Sequence, residues 1–197
     1  MKLNIDSENE TFDYFAITER DSKIIQEQMK GRKFNSCLLL GVTSRCLYGK
    51  PQVILCKSLL NGIPFPNNFW LSCPVLVKIA SRLESSGGVK KLESYIMENS
   101  KDYWKIYNRL HARIRICLAS TNELNNLKNS NIKLYKIFCD NNIGIGGIRI
   151  YNKVQVKCIH LQIASFISLG FHPGQEWFDL DLRYFAHSTI QACNRRT

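Results

Sequence analysis

A long helix is the strongest structural signal in the sequence, and it requires a core for the helix to pack against. In residues 101–119 the large side chains recur at alternating spacings of three and four: Trp104, Tyr107, His111, Ile114 and Leu118. Because an α-helix has about 3.6 residues per turn, these side chains share one face. The pattern predicts a helix that begins after Ser100 and buries this face. His111 is accordingly predicted to be a hydrogen-bonded core histidine.

Shorter patterns on either side predict the remaining elements. Alternating and apolar runs predict strands at 34–45 and 51–56 around a tight turn, a short extended piece at 69–74, and a hairpin over 148–158. Helices are predicted at 21–31, 74–88, 89–99, near 131–139, 161–170 and 174–193, whereas the Asn-rich residues 122–131 predict a mobile connection. The sum is an α+β fold, namely a helix-rich single domain with a small antiparallel sheet.

Length and composition bound the class of protein. With 197 residues, of which 45% are hydrophobic and 11% aromatic, the chain can bury the core of one domain. We assign that domain to residues 21–197, after a polar, acidic segment 1–20 that is unlike a signal peptide. No apolar run approaches the roughly 20 residues that span a bilayer. A cytoplasmic location without a membrane span is therefore expected.

The charge distribution favours an anionic partner. Residues 22–197 carry 25 basic and 10 acidic side chains, a balance that suits nucleic acid, another polyanion or a phosphorylated ligand. On the long helix, basic residues repeat every four positions opposite the apolar stripe: Lys101, Lys105, Arg109 and Arg113. This basic stripe is either a solvated face or a surface for RNA or an acidic partner.

The chain has eight cysteines and no Cys-x-x-Cys pair. In a cytosolic protein this count indicates free thiols or metal ligands rather than disulfides. Four of the cysteines adjoin apolar runs and are predicted to pack in the core, where a free cysteine behaves as a small hydrophobic residue: Cys37, Cys56, Cys117 and Cys139.

Four stretches together resemble a bacterial family, domain of unknown function family 501. They are "RCLYGKPQVI" (45–54), "GIPFPNNFWLSCPVLVKIASRLESSG" (62–87), "GIGG" (144–147) and "VKCIHLQIASFISLGFHPG" (156–174). The resemblance implies no established activity. This chain also departs from the family pattern, because Gln162 and Ser165 stand where the family often has histidines, and His172 stands where it has asparagine.

The stretches that carry the resemblance contain a set of three cysteines and one histidine: Cys46, Cys73, Cys158 and His160. Such a set is common in closed tetrahedral zinc sites, so zinc is the metal that it suggests. Two alternatives stay open. The same residues could simply pack and form hydrogen bonds, or the three cysteines could hold an iron–sulfur cluster.

A second reading of these residues is catalytic. Cys73 is predicted to lie at the N-cap of a helix that begins with Pro74, where the helix dipole favours a thiolate. His160 could act as the base of this nucleophile, with Glu84 or Asp179 orienting the imidazole.

A glycine-rich stretch offers a third kind of site. "GIGGIR" could form a backbone nest for an anion from Gly144, Gly146 and Gly147, with Arg149 beside it, or it could be the entry turn of the hairpin. Two classes of function therefore remain at this stage. The sequence favours a metal-stabilised binding protein with a basic face, because no general acid–base pair is evident. The alternative is a small enzyme that uses Cys73 or acts on a phosphorylated ligand.

Overall fold

The computed structural model describes residues 1–5, 11–151 and 153–178, which form a helix-rich α+β domain with small antiparallel sheets. The strands are β1 (Lys2–Asn4), β2 (Thr11–Asp13), β3 (Leu39–Arg45), β4 (Pro51–Cys56), β5 (Leu59–Leu60), β6 (Ile63–Pro64) and β7 (Phe69–Leu71). The α-helices are α1 (Glu19–Gln28), α2 (Pro74–Ser85), α3 (Gly88–Asn99), α4 (Lys101–Cys117), α5 (Thr121–Ser130), α6 (Ile132–Phe138) and α7 (Ile159–Leu169). The predicted fold class is confirmed. No helix within these ranges is long and apolar enough to cross a bilayer.

The central sheet has the antiparallel order β3-β4-β7. The N–H of Cys56 donates to the carbonyl of Asn68 at 2.7 Å, and the N–H of Ser72 donates to the carbonyl of Gln52 at 2.9 Å. In an antiparallel pair, successive residues direct their N–H and C=O groups alternately towards and away from the partner strand. Asn68 and Ser72 point towards β4, so the main-chain groups of Phe69 and Leu71 point away from it. Within the described ranges β7 is therefore an edge strand with outward-facing donors and acceptors.

Helix α7 covers one face of this sheet and lies beside α2. Its buried residues include Ile159, Ile163 and Ala164, which belong to the main core. Near its C-terminal end, Ser168 Oγ lies 2.6 Å from Thr43 Oγ1 of β3. The position of α7 matters for function because its N-terminal end is brought against the last turns of α2.

Helix α4 packs as its sequence pattern predicts. The side chains of Trp104, Tyr107, His111 and Ile114 are buried in or beside the main core. His111 Nε2 lies 2.7 Å from Ser165 Oγ of α7. The prediction of a hydrogen-bonded core histidine is therefore confirmed.

The prediction of a mobile connection at 122–131 is wrong. These residues form α5, which begins with a capping box in which the Ser120 hydroxyl accepts from the Glu123 N–H and the Glu123 carboxylate accepts from the Ser120 N–H. Leu127 then packs in a small core with Ala119 and Phe138. A good cap and one buried leucine outweigh the low helix propensity of asparagine.

The predicted hairpin over 148–158 is also wrong. The alternation is real, since Val154 and Val156 are buried between exposed neighbours. However, the described part of this segment forms no strand, and the Val156 N–H donates to Glu93 Oε1 of α3 at 2.8 Å. A side-chain carboxylate thus takes the place of a strand partner. The helix predicted at 174–193 lies mostly outside the described residues.

The described part of segment 1–20 is joined to the core. Strands β1 and β2 pair with each other, and Ile5 and Phe12 are buried in the main core. Among the cysteines predicted to be buried, Cys56 is buried, whereas Cys117 and Cys139 are half-buried. Cys37 is exposed in a 3₁₀ turn at 36–38, so that prediction was wrong.

Candidate active site

The C-terminal turns of α2 meet the N-terminal end of α7 through one carboxylate. Glu84 Oε1 accepts hydrogen bonds from the N–H of Ile159 at 2.6 Å and from the N–H of His160 at 3.4 Å. The first N–H groups of a helix have no partner within the helix, and a negative charge is favoured there. Cys158, at the N-cap of α7, makes no side-chain cap hydrogen bond, so Glu84 supplies the cap from the neighbouring helix.

The same carboxylate orients the imidazole of His160. Glu84 Oε1 lies 3.0 Å from His160 Nδ1, and the opposite ring nitrogen, Nε2, lies 3.1 Å from Ser81 Oγ. Ser81 is exposed and stands three residues before Glu84, on the same face of α2. The three side chains therefore form a Ser–His–Glu relay with both links at hydrogen-bond distance.

The serine hydroxyl has two competing acceptors. Besides His160 Nε2, it can donate to the carbonyl of Val77 at 2.9 Å. A neutral His160 that donates from Nδ1 to Glu84 has a free lone pair on Nε2 and can accept the Ser81 proton. A doubly protonated His160 would instead donate to Ser81, which then turns its own proton to Val77. The proton on Nε2 thus decides whether Ser81 is activated.

His160 also lines a small pocket at the edge of the central sheet. This pocket, called the His160 pocket below, has a volume of about 190 Å³. Its walls come from the end of α1, the edge strand β7 and the start of α7: Arg32, Asn67, Phe69, Trp70, Leu71, Cys158, His160 and Leu161. Two of these walls, β7 and the start of α7, lie in the stretches 62–87 and 156–174 that carry the family resemblance.

The His160 pocket is positively charged. Arg32 donates from Nη1 to the outward carbonyl of Leu71 at 2.8 Å, and its guanidinium lies 5.6 Å from the ring centroid of Trp70. Burial lowers the pKa of Arg32, and none of the described carboxylates pairs with it. Asn67 lines the same pocket, but its Oδ1 atom is buried beneath the pocket surface and has no described partner. A ligand here would need a negative charge.

The four residues predicted to bind zinc line two different pockets. Cys158 and His160 belong to the His160 pocket, while Cys46 and Cys73 line a cleft beside α1. Within the described ranges no three His, Cys, Asp or Glu side chains are grouped so that they could hold a metal ion. The zinc site stays a prediction to which this arrangement gives no support, and the same holds for the iron–sulfur alternative.

Cys73 and His160 do not meet as nucleophile and base. Cys73 is the N-cap of α2, as predicted, and Ser81, which contacts His160, lies eight residues further on. Because a helix rises 1.5 Å per residue, about 12 Å along the axis separates these two positions of α2. Cys158 is the thiol that shares a pocket with His160, but burial raises its pKa and disfavours the thiolate. Of the two predicted orienting groups, Glu84 contacts His160 and Asp179 lies outside the described residues.

The glycine stretch is closed by internal hydrogen bonds. The Gly144 N–H donates to the carbonyl of Ile148, the Gly147 N–H to the carbonyl of Gly144, and the Ile145 N–H to Asn108 Oδ1. The carbonyl of Gly146 accepts from Lys157 Nζ at 2.9 Å, and Arg149 lies 3.5 Å from Asp140. These contacts pair the main-chain groups of the loop with other groups of the protein. They give no support to the predicted anion nest.

The basic stripe of α4 is less open than the sequence suggests. Arg109 is exposed, but Lys101, Lys105 and Arg113 are half-buried. Lys105 also pairs with Asp102 at 3.0 Å. Binding of nucleic acid or another polyanion to this stripe stays a prediction.

The positions at which the chain departs from the family pattern contact one another or α4 in the core. Gln162 Oε1 lies 2.9 Å from His172 Nε2, and Ser165 Oγ contacts both His111 and Tyr107. All of these side chains are buried. Histidine-based chemistry in this segment therefore rests on His160 and not on the core histidines.

The protein is thus an α+β domain that presents a Ser–His–Glu relay beside a small cationic pocket. Comparison with protein families matches residues 42–178 to the family described as "Protein of unknown function (DUF501)", and the chain belongs to that family. Neither the curated proteins nor the solved structures include a match to this chain.

Sequence reasoning missed three residues of the site. Ser81 could have been found, because its three-residue spacing to Glu84 on a predicted helix puts both on one face. Arg32 and Asn67 carry no such signal, because loops and the end of a separate helix bring them to the pocket.

Proposed function

We propose that the protein is a small hydrolase in which Ser81 is the nucleophile, His160 the general base and Glu84 the group that orients His160. The observation that carries the proposal is the pair of links at 3.1 Å and 3.0 Å that joins these three side chains. Serine is a weak nucleophile by itself and needs an adjacent base, which in turn needs a fixed ring orientation. This proposal develops the alternative function, a small enzyme, with Ser81 in place of the predicted nucleophile Cys73.

The chemistry follows from the order of the three groups. His160 Nε2 takes the hydroxyl proton as Ser81 Oγ bonds to the carbonyl carbon of an ester. The bond to the leaving alcohol then breaks, and the alcohol departs with the proton from Nε2. Water repeats the sequence: it gives a proton to Nε2, attacks the acyl carbon and releases the acid as Ser81 recovers its proton. Glu84 holds Nδ1–H and stabilises the imidazolium that forms in each half.

The His160 pocket supports an anionic substrate. Arg32 places a guanidinium at the pocket; one of its nitrogens is held by the Leu71 carbonyl, and none of the described carboxylates neutralises its charge. The volume of about 190 Å³ restricts the bound part of the substrate to a small group. The substrate class that fits is a small ester with a negatively charged acyl chain.

The test compares ester hydrolysis by the wild-type protein and two serine variants. Mono-4-nitrophenyl succinate is the anionic substrate and 4-nitrophenyl acetate its neutral counterpart. Ser81→Ala should reduce kcat/KM by about a hundredfold or more, because the nucleophile is lost. Ser85→Ala is the matched control, since Ser85 is an exposed serine of α2 that also bonds to a carbonyl of its own helix.

Two comparisons decide the outcome: Ser81→Ala against the wild-type protein, and the anionic ester against the neutral one. Wild-type turnover in Ser81→Ala would overturn the proposal, as would a wild-type protein that hydrolyses neither ester above background. Arg32→Gln should weaken turnover of the succinate ester and leave that of the acetate ester unchanged.

The other predicted function, a zinc-stabilised binding protein with a basic face, has less support. The four residues predicted to bind the metal line two pockets, and of the basic stripe only Arg109 is exposed. Metal analysis of the purified protein tests it directly.

A further inference from the structure

Arg32 is held at the edge of the His160 pocket by contacts on several sides. Its Nη1 donates to the carbonyl of Leu71 at 2.8 Å and to Met29 Sδ at 3.3 Å. The central carbon of its guanidinium lies 5.6 Å from the ring centroid of Trp70, within the distance of a cation–π contact. The Arg32 N–H also donates to the carbonyl of Met29 at 3.0 Å. The backbone and the side chain of this arginine are therefore both fixed before any ligand binds.

These contacts use only one nitrogen of the guanidinium. The group has five N–H donors, and the two hydrogens of Nη1 face two protein acceptors. Among the described residues none accepts a hydrogen bond from Nε or Nη2 of Arg32. Neither atom is a buried polar atom without a partner, so both reach the protein surface. Nε and Nη2 form one edge of the planar group, and their parallel N–H bonds match the two oxygens of a carboxylate.

Two other arginines show how this chain satisfies a guanidinium with a structural role. Arg115 is buried and donates from Nε, Nη1 and Nη2 to three different main-chain carbonyls. Arg45 directs Nη1 and Nη2 to the carboxylate of Asp21. Arg32 is half-buried, yet within the described ranges it has neither a carboxylate nor a carbonyl for each nitrogen. Its Nε–Nη2 edge is therefore open to an acceptor from outside the protein.

We infer that the Nε–Nη2 edge of Arg32 binds a carboxylate through two parallel hydrogen bonds, and that Trp70 is a positioning residue that holds this edge in place. Both residues line the His160 pocket, whose volume of about 190 Å³ suits a short acid. The inference rests on the proposed hydrolase function in one respect, since the carboxylate is the charged end of the acyl chain. It adds the kind of recognition, which is a planar fork rather than a positive charge alone.

Binding is measured without turnover, in the full chain carrying Ser81→Ala. Monomethyl succinate has one carboxylate, and dimethyl succinate is the same chain with that carboxylate esterified. Titration calorimetry should show that the monoester binds at least about tenfold more tightly, because the diester cannot accept two charge-assisted hydrogen bonds. In two-dimensional NMR spectra the monoester should shift the indole N–H signal of Trp70. The signal of Trp104, which is buried in the core and does not line the pocket, should stay unchanged.

Further changes in the same background separate the fork from the charge. Arg32→Lys keeps the positive charge but loses the planar edge, so the monoester should bind at least about fivefold more weakly. Lys30→Gln is the matched control for charge, because Lys30 is exposed near Arg32 and does not line the pocket. It should change binding by less than about twofold. Trp70→Leu should weaken monoester binding about three- to tenfold and leave diester binding unchanged, whereas Trp70→Phe keeps an aromatic face and should restore most of the loss.

The inference is overturned if the monoester binds no better than the diester, or if Arg32→Lys binds the monoester as tightly as the parent protein. Equal binding by Trp70→Leu and Trp70→Phe would remove the positioning role of Trp70. Failure of the hydrolase gives a different result: the monoester is preferred and Arg32→Lys loses this preference, but the wild-type protein hydrolyses no ester. Hydrolysis that depends on Ser81 without any preference for the monoester would keep the enzyme and exclude the carboxylate site.

Discussion

Glu84 Oε1 lies 2.6 Å from the main-chain nitrogen of Ile159, closer than it lies to the His160 ring. One carboxylate oxygen therefore caps α7 and orients the imidazole of the second residue of the same helix. The cap needs only an acceptor, whereas support of a protonated imidazole needs a negative charge. These two requirements can be separated by mutation.

Glu84→Gln should preserve stability and reduce activity. A glutamine oxygen can still accept from the Ile159 N–H, but it cannot stabilise the imidazolium by charge. We expect the free energy of unfolding to stay within about 1 kcal/mol of the wild-type value, while ester turnover falls at least about tenfold. Glu84→Ala should lose both the charge and the cap. Its turnover should therefore fall as in Glu84→Gln, and the uncapped helix should lower the free energy of unfolding by a further amount of about 1–2 kcal/mol. Urea unfolding and turnover of both variants check this. Full turnover in Glu84→Gln would show that the carboxylate acts only as a cap.

Asp21 and Arg45 form the ion pair that fixes α1 against the turn between β3 and β4. Arg45 donates from Nη1 and Nη2 to the two carboxylate oxygens at 2.6 Å and 2.8 Å, and the Asp21 side chain is almost completely buried. Asp21 also caps α1 with Thr18. Asp21→Asn should therefore cost about 3–5 kcal/mol, because it leaves Arg45 partly buried without a counter-charge. A double-mutant cycle with Arg45→Leu should recover part of this loss, and additive effects of the two changes would contradict it.

The ion pair also predicts a pH dependence. The hydrogen bonds from Arg45 hold the pKa of Asp21 well below its usual range. The folded protein therefore releases this proton more readily than the unfolded chain does. The resulting stability is complete above the unfolded pKa of about 3.9 and is lost as the pH falls below that value. In Arg45→Leu, the steep decrease of stability between pH 4 and pH 2 should become shallower.

The sequence predicted those parts of the fold that local patterns encode. The stripe from Trp104 to Ile114 predicted α4, and Pro74 after Cys73 predicted the start of α2. Both signals lie within a few neighbouring residues. The hairpin failed because its alternation correctly indicates extended chain, but the partner that binds it is the side chain of Glu93, 63 residues away from Val156.

The candidate site shows the same contrast between local signals, which the sequence reveals, and contacts between distant segments, which it does not. His160 and Glu84 were both recognised, and their spatial contact was one of the alternatives left open. The pairing of Cys73 with His160 failed because a helix is rigid, and eight residues of α2 keep the two apart. The cationic pocket could not be derived, because it depends on how the end of α1 docks against β7.

Gly144→Ala tests whether the glycine loop is a packing element. A Cβ at this position would lie 2.2 Å from Asn108 Oδ1 and 2.5 Å from Asn108 Cβ. Asn108 is buried and holds the loop through the Ile145 N–H, so it cannot move freely. We expect a loss of about 2–4 kcal/mol in the free energy of unfolding. In the background of Asn108→Gly, which removes all of the clashing side-chain atoms including Cβ, Gly144→Ala should cost much less. Equal costs in both backgrounds would show that the clash with Asn108 is not the reason for glycine.

The two buried histidines should make the protein less stable at mildly acidic pH. Burial lowers the pKa of His111 and of His172 to about 3. His172 Nδ1 accepts from the Gly174 N–H at 2.8 Å, and its Nε2 donates to Gln162. Protonation of Nδ1 would replace the first hydrogen bond by a contact between two donors.

The sign of this effect follows from proton uptake. Below the usual histidine pKa of about 6.5, the unfolded chain binds protons that the folded core cannot accept. Stability is therefore complete above that pH and decreases as the pH falls from about 6.5 towards 3. Each histidine contributes a slope of up to about 1.4 kcal/mol per pH unit, so the two together should lower the free energy of unfolding by about 2–4 kcal/mol between pH 7 and pH 5. Asp21 adds nothing in this window, because its effect begins below about pH 4.

Urea unfolding at pH 7, 6 and 5 measures this slope directly. His172→Asn should roughly halve it, whatever its effect on absolute stability, because asparagine does not titrate. The variant can keep the contact with Gln162 through its amide, which limits the loss of packing. An unchanged free energy of unfolding from pH 7 to pH 5 in the wild-type protein would mean that the folded core binds protons as readily as the unfolded chain, and that the two imidazoles are not sealed from water.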